Sequence, residues 1–313
     1  MSDAAAQFDA QFEAALKPLC GGDEFHFDHL AIDGIDNTPV FAVNVPEMPQ
    51  QEICLFQKSV PSGDEYVAQL AQRVEMAMCE RQALPVVRFA DGEYAFYSGS
   101  LQCNGLYRQA ESEAAIHAAI PSHLRDIRYL CEHGLLAPLV FPGNVQRASG
   151  LRALFRKKRG NDTALCFLEL LANNGVRLGA NYVPFYCVYA YLSDLRFAGA
   201  VDGKTVGVVN SDFNAMSCAD WFARAGSRPR LVHVPISDSY VATQWEQMRD
   251  EVFSHVPDNP DLFMVGAGIG ALQVCVDLAR HFSVPALDSG HILNMMNGLE
   301  SKSTGPRLYT FSR

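Results

Sequence analysis

Leu262-Phe263-Met264-Val265-Gly266-Ala267-Gly268-Ile269-Gly270-Ala271 is an apolar run, a glycine-rich turn and the start of a periodic apolar segment. Read as strand, turn and helix it is one βα unit, and its neighbours repeat it. Upstream come a strand at 205–209, a helix at 214–224, a strand at 231–234 and a helix at 241–253. Downstream come a helix at 271–282 and a strand at 284–287. Such alternation requires crossover connections, so it predicts an α/β fold, a Rossmann-like parallel sheet with helices on both faces. Helix 271–282 is polar only at Gln273, Asp277, Arg280 and His281, a narrow stripe that predicts a largely buried helix.

The same ten residues fit G-x-G-x-x-A, and Asp288 stands twenty residues after Gly268, as in a dinucleotide-binding fingerprint. Such a unit places its glycine turn on the first strand and needs several more βα units, whereas one strand and a short tail remain here. An NAD(P)-dependent oxidoreductase using Gly266, Gly268 and Gly270 is therefore the alternative reading. Two physical roles stay open for the turn: its backbone N–H groups can approach phosphate oxygens at a helix N-terminus, or its glycines permit close strand-to-helix packing.

Strand ends of a parallel sheet share one rim. Asn210 and Asp212, the Gly266 turn, and Leu287-Asp288-Ser289-Gly290-His291 all fall directly after apolar strands, so these polar groups are expected to meet. Asp288 can serve as a base or orient His291; equally, it can cap the following helix.

Towards the N-terminus, an amphipathic helix at 64–82 leads into Val86-Val87-Arg88-Phe89, and that strand stops at Asp91-Gly92-Glu93, the only D-x-E in the chain. Two carboxylates on a glycine-containing turn can converge on one divalent cation, because hard oxygen ligands suit Mg²⁺ or Mn²⁺. Arg88 can face a phosphate at the rim or, beside buried Val87 and Phe89, turn inward to pair with a carboxylate. Further helices are expected at 111–120, 145–155, 163–172 and 185–197, separated by short runs such as 127–131 and 176–179. Residues 1–60 read as a small N-terminal extension and 61–313 as a single catalytic domain. Its half at 61–200 is helix-rich and carries the D-x-E; its half at 201–313 is Rossmann-like.

A net charge of −10 and a pI near 5.3 argue against a protein that grips nucleic acid by its phosphates. Nine cysteines with no C-x-x-C pair make neither a disulfide framework nor a zinc ribbon. His26-Phe27-Asp28-His29 has no partner motif downstream. No run is long and apolar enough to span a bilayer, and the first residues do not resemble a signal peptide, so a cytoplasmic location is expected. The basic cluster of Arg152, Arg156, Lys157, Lys158 and Arg159 reads as a solvated helix face, or as a patch for a phosphorylated acceptor or peripheral membrane contact. Neither the serine-hydrolase G-x-S-x-G nor the P-loop pattern occurs.

Two of these segments together resemble one family, the bacterial glycosyltransferases of the GT-D fold. There a strand V-R-F-G-D-G-E carries the D-x-E, and Val87 to Glu93 matches it at all but Ala90. The family's later glycine-containing turn, A-x-D-L helix and D-x-G-H strand end have counterparts in Val265 to Gly270, Cys275-Val276-Asp277-Leu278 and Asp288 to His291. The resemblance implies transfer of a sugar from a nucleotide-diphosphate donor, a UDP-sugar foremost, to a glycan, glycoprotein or lipid-linked acceptor. It implies Mn²⁺ or Mg²⁺ held by Asp91 and Glu93, with donor contacts from Arg88, Gly92, Asn210, Asp212 and the Gly266–Gly270 turn. Asp288 or His291 is the candidate base for the acceptor hydroxyl.

Overall fold

In the computed structural model, residues 16–21, 24–30, 53–102, 108–145 and 163–299 are described. Six parallel strands form the central sheet: β3 (Leu84–Phe89), β4 (Leu135–Pro138), β5 (Thr205–Asn210), β6 (Arg230–Pro235), β7 (Leu262–Gly266) and β8 (Pro285–Asp288). Their order across the sheet is β4-β3-β8-β7-β5-β6. This is the expected α/β architecture, and the strands of the last third fall within a residue or so of the predicted limits. A separate antiparallel pair, β1 (Phe25–His29) and β2 (Ile53–Gln57), lies in the N-terminal extension.

The pattern of burial explains the sequence pattern. Strands β3, β4 and β8 are buried along their whole length, and so read as continuous apolar runs, whereas the edge strand β6 is largely half-exposed. The β7-to-β8 crossover is the helix α9 (Ala271–Phe282), which packs on β3, β8 and β7 and is buried as its narrow polar stripe predicted. Of that stripe, Arg280 and His281 are exposed, Asp277 accepts the Trp245 indole N–H at 2.8 Å, and Gln273 is itself buried, its Nε2 donating to Ser122 Oγ.

The helix-rich half holds α1 (Gly63–Glu80), α2 (Asp91–Tyr97), α3 (Glu113–His133), α4 (Ala164–Asn173), α5 (Phe185–Leu192) and α6 (Leu195–Ala200). The Rossmann-like half adds α7 (Ala215–Arg224), α8 (Val241–Ser254) and α10 (Gly290–Met296). Ser62, Ser112 and Thr163 cap α1, α3 and α4, each accepting a first-turn N–H.

Three expectations are corrected. The D-x-E lies on the first turn of a helix, not on a free turn, because Tyr94, Ala95, Phe96 and Tyr97 bury the face that follows it. Helix α3 runs through Pro121 to His133, so 127–131 is not a separate run; Ile127 and Leu130 continue its buried stripe. The segment 185–197 is two helices, broken where Asp194 caps α6 by accepting the Arg196 N–H. The apolar run after Gly134, for which periodicity predicts no element, is strand β4, buried along its whole length. The helix expected at 145–155 and the cluster Arg152–Arg159 lie outside the described residues. Among the described residues no helix is long and apolar enough to cross a membrane.

Candidate active-site cleft

The carboxyl ends of β3, β8, β7 and β5, four consecutive strands, open into one cleft of ≈ 190 Å³. Arg88, Gly92 and Glu93 line it from β3 and α2, Asp288 and His291 from β8 and α10, Gly266 and Gly268 from the end of β7 and the turn after it, and Asn210 from β5. Residues more than a hundred positions apart thus meet where an open α/β sheet places its ligands. Asp91, Asp212 and Gly270, also expected at the site, do not line the cleft. Asp91 is exposed, and Asp212 is half-exposed and accepts from Ser211 Oγ.

Arg88 takes the inward alternative. Its Nη2 donates to Asp288 Oδ1 at 2.7 Å and its Nε to the Asp288 carbonyl at 3.1 Å, while its own backbone N–H donates to Oδ2 at 3.2 Å. The guanidinium lies 3.8 Å from the Tyr189 ring centroid and 5.0 Å from that of Phe185. These two aromatics stand at i and i+4 on α5, a spacing that places both on one face. Arg88 is the only cation among the described lining residues, and Asp288 neutralises it.

Glu93 is fixed by backbone chemistry. Its Oε2 accepts the Ala90 N–H at 2.7 Å, the acid half of a capping box, since Ala90 has no oxygen to answer with. Tyr94 anchors the same turn, its hydroxyl lying between the Phe89 and Leu139 carbonyls at 3.0 and 2.9 Å. Burial raises the Glu93 carboxyl to about 7, the Asp288 charge adding to the rise and the Ala90 N–H and Arg88 opposing it. Asp91, two residues earlier, projects roughly 200° around the helix from Glu93. Among the described residues no group of three or more His, Cys, Asp or Glu is arranged to hold a metal unaided. The two D-x-E carboxylates therefore do not converge as expected; Glu93 alone faces the cleft, and one carboxylate completed by substrate phosphates still fits Mg²⁺ or Mn²⁺.

Asp288 is committed to Arg88 and, at 3.4 Å, to the Gly290 N–H. Among the described residues it makes no hydrogen bond to His291, so the expected orienting pair does not form. His291 faces the cleft and the edge of the Tyr189 ring, with centroids 6.0 Å apart. Burial and the nearby Arg88 lower its imidazole to about 4, against the opposing pull of Asp288, so it is neutral at pH 7.

The glycine turn shows both of its roles divided between residues. A Cβ at Gly270 would come within 2.5 Å of Val241 and 3.0 Å of the Ala242 nitrogen, so this glycine serves helix packing. Gly268, at φ +55°, lies under Gln109, whose Oε1 accepts the Ile269 N–H at 3.1 Å. An N–H that a pyrophosphate would take in a dinucleotide fold is therefore already held by a side chain. Sequence reasoning missed Gln109, Phe185 and Tyr189; only the i, i+4 aromatic spacing on 185–192 hinted at the last two.

No family model matches the chain, and no curated protein matches it. A solved structure described as the "highly conserved domain of unknown function 1792", with "a distinct glycosyltransferase fold", is 18% identical, covers 78% of this chain and 87% of its own, and superposes with a TM-score of 0.44.

Proposed function

We propose that the protein is a metal-dependent glycosyltransferase that moves a sugar from a nucleotide-diphosphate donor to a glycan or glycoconjugate acceptor. The observation that carries this reading is the charge state of the cleft: Arg88 is neutralised by Asp288, and Glu93 adds negative charge once ionised. A diphosphate entering such a cleft requires an added cation. Glu93, the D-x-E carboxylate that lines the cleft, is the residue that would hold it, in keeping with the resemblance of 87–93 to the D-x-E strand of GT-D enzymes. A bound cation supplies charge neutralisation to a leaving nucleoside diphosphate, which needs it more in the transition state than in the ground state.

The chain's own residues do the rest. The Arg88–Asp288 pair joins β3 to β8 and so fixes the distance between the D-x-E and the D-x-G-H segments. Phe185 and Tyr189 give the cleft an apolar wall that limits water around the reacting centre. His291, neutral and facing the cleft, is the group suited to accept the acceptor's proton, a role for which Asp288 is too committed. The cleft volume lies below the ~300–1,000 Å³ of sites that engulf a drug-sized ligand, so the donor projects beyond its mouth.

The test is release of UDP or GDP from a panel of nucleotide sugars with and without Mn²⁺. Turnover that requires metal and is lost in Glu93→Gln supports the reading, and metal-independent turnover or NADH binding contradicts it.

A further inference from the structure

Buried polar atoms in folded proteins are almost always hydrogen-bonded, so the exceptions point to absent partners. Among the described residues two such exceptions belong to cleft-lining side chains: Asn210 Nδ2 and Tyr189 Oη, on residues 5% and 3% exposed. The Asn210 amide is oriented unambiguously, because its Oδ1 accepts the Ser211 N–H at 3.0 Å, which leaves the NH₂ as the unmatched donor. Asn210 is also held in place from behind, its carbonyl meeting His233 Nε2 at 2.9 Å, while His233 stacks on Phe213. The Tyr189 ring is held by the Arg88 guanidinium, so its hydroxyl is fixed without being satisfied.

We propose that Asn210 and Tyr189 determine ligand specificity by hydrogen-bonding hydroxyl oxygens of the ligand's sugar units. This rests on the nucleotide-sugar reading and deepens it. Between β3 and β5 lie three strand spacings, roughly 14 Å, so a ligand with its diphosphate at Glu93 extends towards Asn210. Both groups suit an alcohol: the amide needs an acceptor, and a tyrosyl hydroxyl either gives or takes. A site built with polar groups that only the correct hydroxyls satisfy rejects analogues lacking them.

Calorimetry with Mn²⁺ on Tyr189→Phe and Asn210→Asp, using UDP, 2′-deoxy-UDP and UDP-hexoses, tests this. Both substitutions keep shape; the second also keeps the acceptor for Ser211. Affinity is expected to fall about 3- to 10-fold for Tyr189→Phe and more for Asn210→Asp, where a carboxylate replaces the donor. A loss already present with UDP and absent with 2′-deoxy-UDP assigns the contact to the ribose, and a loss confined to UDP-hexoses assigns it to the transferred sugar; either supports the proposal. Affinities within twofold of wild type for both variants, while Glu93→Gln loses binding, overturn this proposal and leave the nucleotide-sugar reading standing. Failure of the wild type to bind any of these nucleotides overturns both. If Asn210→Asp does not fold, judged by its melting curve, Tyr189→Phe decides alone.

Discussion

Arg88 and Asp288, two hundred residues apart in the chain, are joined across the parallel strands β3 and β8 by three hydrogen bonds, one of them a 2.7 Å ion pair. Each half of the chain contributes one partner, and both are more than nine-tenths buried. Removing one partner strands the other charge: Arg88→Met or Asp288→Leu alone is expected to cost about 3–5 kcal/mol of unfolding free energy. The double substitution is expected to recover much of that loss, because an apolar pair leaves no buried charge. Urea unfolding of the four proteins checks the cycle, and additive losses would show that the two side chains act independently.

Glu93 links stability and metal binding to pH with opposite signs. Its carboxyl is raised from 4.5 to about 7 in the fold, so the folded protein holds a proton that the unfolded chain has lost between those values. Stability from this group is complete below pH 4.5 and falls as pH rises through 7. Glu93→Gln, whose amide oxygen still accepts from the Ala90 N–H, is thus expected to gain ~1–2 kcal/mol over wild type at pH 8 and little at pH 4.5. Metal-dependent nucleotide affinity should move the other way, rising about tenfold from pH 6 to 8 as the ligand ionises. Denaturation at both pH values, alongside a pH series of titrations, reads both effects.

His123 and His291 act on the acid side. Burial is the main cause holding both near 4, below the usual 6.5, so the unfolded chain binds protons first as pH falls. Stability contributed by these groups is present above pH 6.5 and lost as pH drops towards 4. The His291→Gln variant should lose less stability than wild type between pH 6.5 and 4.5, read as a smaller shift in urea midpoint.

Much of this was legible in advance, and what failed did so for physical reasons. The alternation at 205–287 gave the parallel sheet because buried strands read as continuous apolar runs, and strand-end polar residues gave the cleft because parallel strands share a rim. Periodicity could not show that β3 pairs with β8, since parallel pairing leaves no local signal. Nor could it show that Glu93 bends back to Ala90, that Gln109 covers Gly268, or that Tyr189 reaches the cleft from an all-apolar helix.

Gly270 separates packing from ligand binding at the glycine turn. Gly270→Ala drives a methyl into Val241 and the α8 backbone, and is expected to cost about 1–3 kcal/mol by overpacking. Because Gly270 does not line the cleft, nucleotide affinity of the folded variant should stay within a fewfold of wild type, as titration at low temperature would show.

The central claim is that Glu93 would hold a cation that a diphosphate needs in a cleft whose one described cation is already neutralised. It is tested most directly by calorimetric titration of UDP and GDP into wild type, Asp91→Asn and Glu93→Gln, each with and without Mn²⁺. Binding that appears only with Mn²⁺ and is weakened at least tenfold by Glu93→Gln, with a smaller effect of Asp91→Asn, is the predicted result. Binding equally strong without metal and unchanged in both variants would contradict the account.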